Sequence, residues 1–238
     1  MNLDSLVISQ DDALLDVLRP AQERVSVDVK VCGEFQSGSN LLAKRKFDAV
    51  IIDCDDLRHG FEFLKTLRQT KSNALSVSFA VVNGITTTQD AFQSGANFVL
   101  QKPLTPQHAS RCFNVALSFM VRERRRYFRH PVDMPLRVCL PYNREVTATA
   151  TNLSEGGMAI RVLSKLAKEA QAQFRFTLPG DNISLELKGQ VAWEDGTGHA
   201  GIRFLDVPQS AQHQLNKWLT DHLRSKMPER LQGYVGLS

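Results

Sequence analysis

Short apolar runs alternate with longer amphipathic stretches up to Val121, after which the pattern changes to short alternating strands. Ser5–Ser9, Ser26–Cys32, Ala49–Asp53, Ser76–Val82 and Asn97–Leu100 have strand length and β-branched content. Between them Asp12–Glu23, Gly60–Gln69 and Thr88–Ser94 carry apolar residues at helical spacing, and Asn40–Arg45 is a shorter, weaker helical stretch. Thr105-Pro106 sets an N-cap residue before proline at the first helical position, predicting a helix through at least Phe119. Gly95 fits a C-cap before the fifth strand. Five strand–helix units with near-continuous apolar strands predict an α/β domain, a parallel sheet covered on both faces.

The second half reads differently. Leu136–Leu140, Val146–Thr151, Gly157–Val162, Ala172–Leu178, Ser184–Val191 and His199–Phe204 are strand candidates, joined by turn-rich segments at Pro179–Asn182 and Glu194–Gly198. Regular short strands predict a small antiparallel all-β barrel. A helix over Gln209–Lys226 places Leu215, Trp218, Leu219, His222 and Leu223 on one face, a stripe expected to pack on the barrel with Trp218 as filler. Residues 227–238 show little periodicity and are expected to form a mobile tail.

Composition narrows the class. With 238 residues, 42% apolar and 23% charged, the chain matches ordinary soluble proteins and has room for two small domains. No apolar run approaches the roughly 18 residues of a membrane helix, and the acidic N-terminus lacks the basic start of a secretory signal. A cytoplasmic protein without membrane insertion is expected. Cys32, Cys54, Cys112 and Cys139 are far apart, which disfavours a disulfide framework or zinc site, so no metal is expected. No Ser/His/Asp order, H-E-x-x-H, P-loop or dinucleotide loop appears, and the six His are dispersed, so no enzymatic activity is expected.

Charge is uneven. Residues up to Val121 carry 12 basic and 13 acidic groups, whereas those after it carry 17 and 12. Much of the excess lies in Arg122-Glu123-Arg124-Arg125-Arg126-Tyr127-Phe128-Arg129. Such a run can be a solvated helix end, a nucleic-acid patch or a phosphate-ligand site. No helix-turn-helix or zinc finger accompanies it, so no specific nucleic-acid partner is expected.

Residues 1–121 resemble the receiver domain of bacterial response regulators. The resemblance is carried by Phe47-Asp48-Ala49-Val50-Ile51-Ile52-Asp53 and by Gly95-Ala96-Asn97-Phe98-Val99-Leu100-Gln101-Lys102-Pro103. It implies a flavodoxin-like sheet of order 2-1-3-4-5, with Asp53 at the phosphoacceptor position and Lys102 as its contact. It also allows pairing of two copies through the last helix of the domain. The acidic pair that follows the first strand in that family, which helps to hold Mg²⁺, is replaced by Ser9-Gln10, with Asp11-Asp12 displaced into the helix start as caps. Asn83 stands where the family has Ser/Thr, and Val99 where it has the switching aromatic. The expectation is a pseudo-receiver that takes up no phosphoryl group.

Residues 122–226 resemble the PilZ domain, a bacterial receptor for cyclic di-GMP. R-x-x-x-R is present as Arg125 to Arg129, before His130-Pro131, and D/N-x-S-x-x-G as Asn152-Leu153-Ser154-Glu155-Gly156-Gly157. Gly189–Trp193 and Gly201–Phe204 also fit the later strands of that family. The resemblance implies that Arg125 and Arg129 grip cyclic di-GMP and that Asn152, Ser154, Gly156 and Gly157 form its turn. Arg124, directly before the motif, implies two stacked ligand copies. The chemistry suits the ligand: guanidinium groups bond the O6/N7 edge of guanine or clamp phosphate, and the amide of Asn152 and the hydroxyl of Ser154 add polar groups.

The expected organisation is a receiver-like domain over 1–121, an Arg-rich linker and ligand clamp over 122–131, a PilZ barrel with its helix over 132–226, and a tail. Without ligand, repulsion among its guanidinium groups should leave Arg122–Arg129 a mobile hinge that orders on binding. The function expected is a cyclic di-GMP effector that passes the signal to a protein partner. A phosphorylatable response regulator and a degenerate PilZ adaptor that binds no nucleotide are the alternatives.

Overall fold

The structure, a computed structural model, describes residues 1–54, 59–84, 87–142, 144–164 and 166–236. It divides into two compact units, one of Met1–Arg125 with the described residues from Lys226 onward, the other of Arg126–Ser225.

In the first unit, β1 (Leu3–Ile8), β2 (Val27–Cys32), β3 (Ala49–Asp53), β4 (Val77–Val82) and β5 (Phe98–Gln101) form a parallel sheet in the order β2-β1-β3-β4-β5. Every residue of β3 and β4 is buried, as continuous apolar strands in the middle of a covered sheet must be. Edge strand β2 is instead part exposed. Helices α1 (Asp12–Glu23), α2 (Phe35–Lys44), α3 (Gly60–Gln69), α4 (Thr88–Gln93) and α5 (Pro106–Tyr127) complete it. Asp11 caps α1 by accepting from the Leu14 amide at 3.0 Å, and Thr87 and Asp90 form a capping box on α4. Helix α2 begins five residues before the weak stretch at Asn40, because Phe35 stacks on Phe63 at 5.0 Å and Leu42 is buried, packing that overrides poor local propensity.

The second unit is a closed barrel of order β10-β11-β8-β7-β6-β9, made of β6 (His130–Leu140), β7 (Arg144–Ser154), β8 (Gly157–Val162), β9 (Gln171–Thr177), β10 (Ser184–Glu194) and β11 (His199–Leu205). Inward and outward residues alternate along β9, with Ala172, Phe174 and Phe176 buried. Strand β6 starts six residues before the expected Leu136, with its register shifting between Pro131 and Met134; prolines are accommodated beside a bulge. Helix α6 (Gln209–Lys226) buries Leu215, Trp218, Leu219 and Leu223, and the Trp218 indole donates to the Pro179 carbonyl at 2.9 Å. Trp218 is core, as its spacing predicts.

Two expectations are corrected. The arginine run is no loose linker up to Tyr127: α5 continues through it, with Glu123 paired to the part-buried Lys46 and Arg124 to the buried Asp48 of the first unit. The tail is also ordered across its described residues. A short helix α7 (Glu229–Gln232) follows α6, Met227, Leu231 and Val235 are buried, the terminal ammonium of Met1 donates to the Lys226 carbonyl, and Arg230 donates to the Arg24 carbonyl. Leu237 and Ser238 lie outside the described residues.

Leu231→Ala should therefore destabilise the first unit by about 2–5 kcal/mol, the usual cost of truncating a buried leucine. Hydrogen exchange should speed at β1–β5 amides and stay unchanged in the barrel; the reverse pattern would contradict the assignment of the tail to the first unit.

Candidate functional site

On the second unit, a groove of about 500 Å³ gathers Arg126, Arg129, Asn152, Ser154, Gly156 and Gly157, with Trp193, Gly201 and Arg203 opposite. Strand order explains the assembly: β7 and β8 meet at the turn 154–157, and β11 pairs with both β8 and β10. Arg129 donates to Ser154 Oγ at 3.2 Å, and that hydroxyl donates on to the Gly157 carbonyl at 2.8 Å. Asn152 Oδ1 accepts from the Ala159 amide at 3.3 Å. A side chain on Gly157 would lie 2.1 Å from the Ile202 carbonyl, so only glycine allows β8 and β11 to approach here. Trp193, 47% exposed, lies where a side chain on Gly201 would stand, and β10 shifts register just before it. Arg203 is held by Gln190, its Nη2 donating at 2.6 Å.

The predicted residues thus divide. Arg129, Asn152, Ser154, Gly156 and Gly157 line the groove together; Arg125 and Arg124 do not line it. Arg124 has other partners. Its Nε donates to both oxygens of Asp48 at 2.9 and 3.0 Å, and its Nη2 to Asp48 Oδ2 and, at 2.9 Å, to Asp4 Oδ2. Sequence reasoning missed Arg126, Trp193 and Arg203. Arg126 was legible as another guanidinium in the run, whereas only the strand pairing brings Trp193 and Arg203 round.

A second cluster lies at the carboxyl ends of β1 and β3 in the first unit. Asp53, fully buried, accepts on Oδ2 from Ser9 Oγ at 2.8 Å and from Lys102 Nζ at 2.8 Å. Lys102 also donates to Asp11 Oδ2 at 2.9 Å, and the Asp11 amide donates to Ser9 Oγ at 3.0 Å, closing a polar ring. The hydrogen bond from Lys102, then that from the Leu14 amide, holds Asp11 below the ordinary carboxylate value. Burial works against the charge of Lys102, but its bonds to Asp53 and Asp11 outweigh that and raise its pKa. Asp11 is therefore more than a cap; the fold returns it to the cluster through Lys102, which spacing alone does not show.

Residues 123–221 match the family model described as the PilZ domain, and residues 6–111 match the response regulator receiver domain. Residues 6–111 are thus a receiver domain and residues 123–221 a PilZ domain.

Among solved structures, the chemotaxis response regulator CheY4 of Vibrio cholerae is 17% identical to the receiver region, over 48% of this chain and 98% of its own, with a TM-score of 0.45. YcgR of Escherichia coli, solved in complex with c-di-GMP, is 24% identical over 43% of this chain and 47% of its own, TM-score 0.37. The PilZ domain of CeSA from a cellulose-synthesizing bacterium is 20% identical over 40% of this chain and 98% of its own, TM-score 0.34. No curated protein matches the chain. Both domains belong to regulatory, not catalytic, families. Among the described residues no helix is long and apolar enough to cross a membrane.

Receiver domains imply Mg²⁺, and the residues present here do not fit it. The ion demands oxygen ligands at about 2.0–2.1 Å. Ser9 and Gln10 replace the acidic pair, and the ammonium of Lys102 already bridges Asp11 and Asp53. Among the described residues no three metal-ligating side chains cluster.

Acetyl phosphate with Mg²⁺ should accordingly give no acyl-phosphate mass shift; a shift lost in Asp53→Asn would contradict this. Acid should weaken the ring. The pKa of Asp11 is lower in the folded chain than its ordinary 3.8, so the stability it contributes is present above about pH 4 and lost as pH falls through the lower folded value. Asp11→Asn should flatten that acid limb in a series of unfolding curves, and an unchanged limb would show that the bridge contributes nothing.

Proposed function

We propose that this protein is a non-enzymatic cyclic di-GMP effector. Its PilZ domain captures the ligand and its receiver domain, no longer a phosphorylation switch, recognises a protein partner. The observation that carries the reading is the convergence of three guanidinium groups, a polar turn and an exposed indole on one groove of the barrel.

Each part suits a component of the ligand. Its two phosphodiester charges need cations, which Arg126, Arg129 and Arg203 supply. A guanine O6/N7 edge takes a bidentate guanidinium, and its ring can stack on Trp193 or on an arginine plane. Asn152 and Ser154 offer amide and hydroxyl groups to a base edge or phosphate. Gly156 has open space around its Cα, so the ligand meets backbone there. Arg125 keeps its motif position in the last turn of α5 but lies outside the residues that line the groove, so the grip is assigned to Arg126 and Arg129. Arg124 leaves the ligand set, its donors being engaged by Asp48 and Asp4, so one ligand copy per protomer replaces the expected two. On the receiver domain Phe92, Val115 and Phe119 are exposed, apolar surface that supports recognition as its output.

Isothermal titration with cyclic di-GMP, with GTP as control, tests the reading and should give one site per protomer. Arg126→Ala or Arg129→Ala should each lose at least tenfold in affinity, since a charge-assisted hydrogen bond is worth roughly 1.5–3 kcal/mol. Asn152→Ala should lose less. Unchanged affinity in both arginine variants, or no heat from the wild-type protein, would overturn the assignment.

A further inference from the structure

Glu123 and Arg124 belong to the same helical turn as Arg125 and Arg126, yet their side chains end in a buried polar cluster of the receiver domain. Asp48, 2% exposed, receives the Asp4 amide at 2.7 Å and the fork of Arg124. Arg124 also donates to the Asn2 carbonyl at 3.3 Å and to Asp4, whose other oxygen accepts from Arg45. Beside this pair Lys46 Nζ donates to Glu123 Oε1 at 2.6 Å and to Ser76 Oγ at 2.8 Å, and Ser76 donates to the Phe47 carbonyl at 2.7 Å. Glu123 is 3% exposed. Carboxylates as deeply buried as Asp48 and Glu123 stay charged only where their cationic partners are in place, which favours this one arrangement. Burial raises the pKa of Asp48 despite Arg124 and lowers that of Lys46 despite Glu123.

We infer that Asp48–Arg124, supported by Lys46–Glu123, is a latch that holds the last turn of α5 helical and so pre-orders the guanidinium groups that follow next in the chain and line the ligand groove. Arg124 and Glu123 are positioning residues, and touch no ligand. The sequence places Arg126 two residues beyond Arg124, and α5 carries both. Were the latch absent, five guanidinium groups within eight residues would favour an unwound, solvated segment, and the ligand would have to order it at the expense of affinity. By linkage, ligand binding must stabilise the latch as much as the latch favours the ligand. This is a route by which capture of nucleotide on the PilZ domain reaches β1 and β3 of the receiver domain. The inference rests on the proposed ligand, but the latch itself is observable without it.

The test is hydrogen exchange and titration on the full chain carrying Asp48→Asn. Amides of Arg125–Tyr127 should exchange at least tenfold faster than in wild type with no nucleotide present, and affinity for cyclic di-GMP should fall about 5- to 10-fold. Arg45→Ala, which removes a half-exposed member of the cluster outside α5, should change neither. If Asp48→Asn does not fold, Glu123→Gln gives the same comparison. In the wild-type protein cyclic di-GMP should slow exchange at Phe47–Ala49. A folded latch variant with wild-type exchange at Arg125–Tyr127 would overturn the latch. Fast exchange there combined with unchanged affinity would overturn its positioning role. A wild-type protein that binds no cyclic di-GMP would overturn the proposed ligand and with it that role, while the exchange arm would still decide whether the latch exists.

Discussion

Five guanidinium groups within eight residues repel one another at contact range, and such a segment stays ordered only if the charges are parted and paired. The chain resolves this by dividing them. Arg124 turns into the receiver domain, where Asp48 and Asp4 neutralise it, while Arg126 and Arg129 line a groove that also holds Arg203 and the neutral side chains of Asn152 and Ser154. Removing one member of a buried pair of this kind typically costs about 3–5 kcal/mol, because the partner is left charged and dry. In the proposed latch, that asymmetry keeps α5 helical into the run. It also leaves the groove with a surplus of positive charge, which an anionic ligand would relieve.

The receiver domain has kept the frame of its family and changed its chemistry. Asp53 and Lys102 occupy the positions of acceptor and contact, but Ser9 and Asp11 close a hydrogen-bonded ring around them. The ammonium of Lys102 bridges the carboxylates of Asp53 and Asp11. Asp53 Oδ2 already accepts two short hydrogen bonds, from Ser9 and Lys102, which supports the proposal that the site is structural.

Much of the fold was legible in the sequence. Continuous apolar runs such as Ala49–Asp53 can only be central parallel strands, and the alternation around Phe174 and Phe176 can only be a half-buried antiparallel one. What escaped was long-range. The C-terminal segment has no periodicity, yet Leu231 and Val235 are buried because a few apolar side chains suffice where the receiving surface is already built. At the groove, the turn residues Asn152–Gly157 were visible as a local motif. Trp193 and Arg203 were not, since they come from strands paired 30 to 50 positions further along. For Arg124 the neighbours in sequence point to the ligand motif, and only the fold reveals its pairing with Asp48 and Asp4.

The central claim is that cyclic di-GMP occupies the groove between the turn 154–157 and Trp193, and the two tryptophans offer a direct measurement. Trp193 is half exposed at the groove, whereas Trp218 is buried with its indole N–H bonded to the Pro179 carbonyl. In a ¹⁵N spectrum recorded during titration with cyclic di-GMP, the indole resonance of Trp193, assigned by Trp193→Phe, should shift and saturate at one equivalent while that of Trp218 moves little. A saturating ligand that leaves the Trp193 resonance in place would contradict the account.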